Sequence, residues 1–162
     1  MGRLLRHYPP ESFNFVTTRC HQARFFLRPD HDLNRAILEW LARAQRHRPG
    51  IRIHAILEMS NHLHAIVRDS GASLAFWAQH LLGSLAGAVS ALRDRSGAVG
   101  ARRDSAEPIL DDDAILERVA FLATNPVSAH LVDAHEDWPG LLLLPDGARE
   151  RRIPVSRIDH DR

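Results

Sequence analysis

Two runs of alternating residues, 51–57 and 62–67, flank Ser60-Asn61 and constrain the fold more than any other feature of the chain. Ile51, Ile53, Ala55 and Leu57 alternate with Arg52, His54 and Glu58. Successive side chains of a strand point to opposite faces, so the first run reads as a strand with one apolar face. The short turn then returns the second run as the other arm of a hairpin. In that arm His62 and His64 share one face, while Leu63, Ala65 and Val67 point the other way. One face can be core and the other can hold a divalent metal between two imidazoles. A solvated strand face would carry the same two histidines, so this motif alone does not decide between the two readings.

The rest of the chain supplies elements for the hairpin to pack with. Ser12 to Cys20 is β-rich and follows Pro9-Pro10, which suits a first strand. Asp32 is placed to cap a helix whose apolar residues Leu33, Ala36, Ile37, Trp40, Leu41 and Ala44 recur at helical spacing, and Pro49-Gly50 ends it. After Ser70-Gly71, a long helix carries Leu74, Trp77, Leu81, Leu85, Ala88, Val89 and Leu92 on one face. A loop rich in Gly and Arg runs from Arg93 to Arg103. Glu107 to Leu110 reads as a short fourth strand, and Pro108 assigns it to an edge. Asp111-Asp112-Asp113 suits the start of a third helix over residues 114–124. The order βαββαβ plus a helix predicts an α+β, ferredoxin-like (RRM-like) sandwich. It has a four-stranded antiparallel sheet, the His62 strand inside it, helices on one face and a further C-terminal helix. Residues 1–145 form the domain, and residues 146–162 are a polar tail.

Composition narrows the function. No stretch approaches the roughly 18 apolar residues of a membrane span, and the basic start lacks the apolar run of a signal peptide. This predicts a cytoplasmic protein with no membrane partner. Cys20 is the only cysteine, so there is no thiolate cluster for zinc, and a small buried hydrophobe is its expected role. The net charge of +1 conceals a division: residues 1–103 carry 15 Arg against 7 acidic residues, and residues 104–162 carry 6 against 13. All basic residues are arginine. Genome composition explains the missing lysine but not the segregation of charge, and arginine is suited to phosphate and base contacts.

Four segments now fall in the order of a known family. Met59-Ser60-Asn61-His62-Leu63-His64 resembles the His-hydrophobe-His motif of the HUH single-tyrosine transposases, most closely the REP-associated tyrosine transposases. Asn125-Pro126-Val127-Ser128-Ala129-His130-Leu131-Val132 is similar to that group's signature at the end of the last helix. Glu136-Asp137-Trp138-Pro139 resembles the acidic-aromatic-proline segment that follows, and Phe15 to Arg19 the first strand. The resemblance implies a protein that nicks and rejoins single-stranded DNA at hairpin-forming sequences. It implies His62, His64 and the Asn125 amide as ligands of Mg²⁺ or Mn²⁺. Relatives occur as monomers and as dimers, so a homodimer stays open.

The family's nucleophile is missing. The position one helical turn before Asn125 holds Phe121, a ring without the oxygen that attacks phosphorus. The only tyrosine is Tyr8, ahead of the first strand. Thr124 and Ser128 carry nearby hydroxyls without a recognisable activating base. The Gly/Arg loop also lacks the aromatic of relatives, leaving Arg102 and Arg103 with Arg19 as the expected DNA contacts. The leading expectation is a degenerate or repurposed transposase that binds single-stranded or hairpin DNA without covalent strand transfer. One alternative is an active nuclease or transposase using Tyr8 or a metal-activated water. Another is a ferredoxin-like scaffold with no DNA role.

Overall fold

The computed structural model describes residues 9–101, 105–146 and 153–155. Its elements run β1 (Ser12–Arg19), α1 (His31–His47), β2 (Ile51–Met59), β3 (His62–Asp69), α2 (Leu74–Leu92), β4 (Ser105–Ile109), α3 (Asp112–Ser128) and β5 (Leu142–Leu143). They build an antiparallel five-stranded sheet in the order β4-β1-β3-β2-β5. The strand bearing His62 and His64 is central, as expected, and β4 lies at an edge, where Pro108 lacks a donor to lose. The sheet has five strands, not four. The extra one, β5, is two residues that pair with Ile56 and Leu57 on the far edge, too short for periodicity to reveal.

The helices are not all on one face. Helices α1 and α2 pack together over the face carrying Val16, Ile51, Ile56, Leu63, Ala65 and Val67. Helix α3 lies on the opposite face, where Leu122 joins Phe15, Ala55, Leu57, Met59 and Ile66. His62 and His64 are on this second face, so α3 and the histidine pair share one side of the sheet. The arrangement follows from occupancy: with two helices already covering the first face, the remaining apolar strand residues need α3.

Strand β2 breaks the simple alternation read from its sequence. Ile53 stands opposite Val67 and Ala55 opposite Ile66, so His54 is an extra residue and the strand is bulged there. A one-residue slip exchanges faces. Ile51 therefore shares the α1/α2 side with Ile56, whereas Ala55 and Leu57 belong to the α3 side.

Carboxylates organise the helix starts. Asp30, rather than Asp32, caps α1 by accepting from the Leu33 N–H at 2.9 Å. Asp69, at the end of β3, accepts from Leu74 N–H at 2.7 Å and so starts α2. Asp111 accepts from Ala114 N–H at 2.8 Å, and α3 then runs to Ser128, past the predicted end and through Pro126. The two N-caps, Asp30 and Asp111, contribute about 1 kcal/mol each. The chain then returns across β2: the Trp138 indole donates to the Glu58 carbonyl at 2.8 Å, and Asn34 donates to the Pro139 carbonyl at 2.8 Å. No helix among the described residues is long and apolar enough to cross a membrane. Most of the expected polar tail lies outside the described residues; Val155, which is described, lies beside Glu39, Arg43 and Arg46 of α1.

Candidate nucleic-acid and metal site

Strand pairing places the two histidines in a fixed frame. Thr17 stands opposite His64 and Arg19 opposite His62 on β1, with Leu57 and Met59 opposite them on β2. The imidazole centroids are 4.6 Å apart, with the rings nearly perpendicular. His64 is buried and His62 half-buried.

Each ring has one nitrogen engaged by a neighbour. Asn61 directs its amide NH₂ to the Ala23 carbonyl at 3.3 Å, which leaves its oxygen to accept from His62 Nδ1 at 2.6 Å. The His62 proton is thereby assigned to Nδ1, and the Nε2 lone pair stays available. His64 Nδ1 meets the Thr17 hydroxyl at 2.9 Å. A partner on Nδ1 is how a metal-binding imidazole is ordinarily oriented. Burial, then the charges of His62, Arg19 and Arg118, hold His64 down to a pKa of about 3. Burial and Arg19 lower His62 as well. Both rings are neutral at physiological pH, the form that binds metal.

Helix α3 brings Phe121 against this pair. Its ring meets His64 edge-on at 5.4 Å and Phe15 at 6.1 Å, and 42% of the residue is exposed. The position where a tyrosine was expected therefore borders His64. Asn125 lies one helical turn farther on, half-buried, in the last turn of α3. Residues four apart share a helix face, so α3 carries Asn125 on the same side as Phe121. No group of three His, Cys, Asp or Glu residues suited to a metal occurs among the described residues. A metal here needs an amide or hydroxyl donor besides the two imidazoles. Two neutral imidazoles are donors suited to Mn²⁺ and other transition metals, whereas Mg²⁺ favours oxygen donors.

Of the arginines expected at DNA, Arg19 is exposed at the end of β1 beside His62. Arg102, Arg103 and Tyr8 lie outside the described residues. Thr124 bonds back to the Ala120 carbonyl at 2.9 Å, so its hydroxyl is engaged in the helix. Two residues escaped the sequence reading. Thr17 orients His64, which only the β1–β3 register could reveal. Arg118, one turn before Phe121, lies 4.7 Å over the Phe15 ring and pairs with Glu107 at 3.3 Å. Its helical spacing from Phe121 was the available signal.

Comparison with known structures bears on this arrangement. A solved structure of a REP-associated tyrosine transposase bound to a REP hairpin matches with a TM-score of 0.70 and 17% identity. The match covers 86% of this chain and 81% of that one. This chain has the fold of that transposase. A second solved structure, of a proposed transposase from Deinococcus radiodurans R1, matches with a TM-score of 0.49 and 11% identity, over 76% of this chain and 97% of that one. No protein-family model matches the chain, and no curated protein matches it in sequence.

Proposed function

We propose that this protein binds single-stranded or hairpin DNA on the α3 face of its sheet, with His62, His64 and Asn125 holding Mg²⁺ or Mn²⁺ beside the scissile-phosphate position of a transposase-like site. The observation that carries the proposal is the histidine pair itself: two neutral imidazoles with engaged Nδ1 atoms, bordered by the α3 residue where the family places its nucleophile. The shared fold with a hairpin-bound transposase supports it. When bound, the metal would supply charge stabilisation at a phosphate oxygen.

The chain's own residues define what such a site does. Arg19 places positive charge at its open edge, while Thr17 and Asn61 hold the two rings in position. Phe121 presents an aromatic surface and no nucleophile, so the site binds DNA without forming a phosphotyrosine bond. Two measurements test the reading. Affinity for a hairpin-bearing single strand should fall steeply with salt, because arginine contacts release counterions. A His62→Ala, His64→Ala double variant should lose Mn²⁺ affinity. Salt-independent binding, or unchanged Mn²⁺ affinity, refutes it.

A further inference from the structure

The β2 bulge has a consequence for the far end of the same face. Counting back from the Leu57↔His64 pair without a bulge would place Ile53 opposite Arg68, on the histidine side. The extra residue instead places Arg52 opposite Arg68. His54 comes to the same side, its ring 4.9 Å from that of Phe13. The bulge thus exchanges two isoleucines, Ile51 and Ile53, for an arginine and a histidine on the face that carries His62 and His64.

This cluster is poorly compensated. Like charges directly opposite each other across strands are destabilising. Arg68 has one carboxylate partner, Glu11, at 2.8 Å, and its guanidinium carbon lies 5.7 Å from the centre of the Phe13 ring. Arg52 is exposed and has no ion pair among the described residues. Arg68 Nε and His54 Nε2 are buried with no hydrogen-bond partner. Burial, with the charges of Arg68 and Arg52, lowers the His54 pKa. Unsatisfied buried groups of this kind cost about 1–3 kcal/mol each and call for an explanation such as a bound ion.

Resting on the reading above, we propose that Arg52, Arg68 and His54 form a second anion subsite. It takes a backbone phosphate of the same DNA strand whose other end lies at His62 and His64. Arg68 lies four residue steps along β3 from His64, roughly 13 Å at about 3.3 Å per residue. Buried Ile66 and helix α3 lie between the two sites, so a strand of several nucleotides that passes around α3 would meet both.

The test uses the full chain, a fluorescent hairpin-bearing single-stranded oligonucleotide, and a salt titration. Arg52→Gln removes an exposed, unpaired charge, so the fold should survive. It should weaken binding severalfold and reduce the log–log salt slope by about 0.7, the value for one phosphate contact on a single strand. Arg52→Glu should weaken binding further while raising the thermal midpoint, because an acid then faces Arg68. A merely structural role for Arg52 would not separate stability from binding in this way. Strand binding that is salt-dependent but unchanged in both variants overturns the subsite and leaves the proposed function intact. Failure of the unaltered protein to bind the strand overturns the proposed function, and the subsite with it.

Discussion

Glu58→Gln should flatten one component of the pH dependence of stability. The Glu58 carboxyl is fully buried between β2 and the returning chain. One oxygen accepts from Leu141 N–H at 3.1 Å, and the other has no partner. Burial raises its pKa from 4.5 to about 7, and the nearby charge of Asp30 adds to the rise. A carboxyl that keeps its proton longer folded than unfolded stabilises the protein below the unfolded value. That contribution is lost as pH rises through the folded value. Between 4.5 and about 7, at about 1.4 kcal/mol per pH unit, the loss amounts to about 3 kcal/mol. Glutamine has nearly the same shape and no proton to release. Urea unfolding of both proteins from pH 5 to 8.5 should give curves that diverge with pH, the variant ending about 3 kcal/mol more stable relative to its pH 5 offset. In thermal melts this corresponds to roughly 6–12 °C for a chain of this size. Histidine contributions are common to both proteins and cancel in the difference. A difference that stays constant across the range refutes the buried-carboxylate argument.

Three further outcomes are expected. The unaltered protein should form no denaturation-resistant adduct with a hairpin-bearing single strand and Mn²⁺, whereas Phe121→Tyr should gain some; an adduct in the unaltered protein that disappears in Tyr8→Phe would assign the nucleophile to Tyr8 instead. Because burial and nearby positive charge lower His62 and hold His64 at about 3, protons compete for the site less than for two ordinary imidazoles. Mn²⁺ affinity should fall less from pH 7.5 to 5.5 than the roughly 100-fold that two ordinary imidazoles would lose; a loss of that full size by isothermal titration contradicts the shielded pair. A Cβ at Gly140 would sit 2.5 Å from the Trp138 indole nitrogen and 3.0 Å from the Glu58 carbonyl oxygen. Gly140→Ala should therefore cost about 1–3 kcal/mol in chemical denaturation, and no loss would mean that the returning chain is not locked there.

Local pattern was enough for the elements close to the histidines. The alternation around Ser60-Asn61 specified the β2–β3 hairpin, because strand periodicity is a property of neighbouring residues. Helical spacing likewise marked Leu74, Trp77, Leu81, Leu85 and Val89 as the buried stripe of α2. The order of motifs also indicated the transposase-like fold, which the structural match bears out. Other features depended on contacts between distant segments. The β1–β3 register joins Thr17 to His64 across 47 residues, and nothing in either segment alone encodes that pairing. The placement of α3 beside the histidines depended on which sheet face α1 and α2 had already covered. The His54 bulge reversed the phase of β2 partway along, where composition showed unbroken alternation. Residue periodicity is local and therefore readable, but facing, register and bulges are settled by whichever tertiary packing buries the most apolar surface.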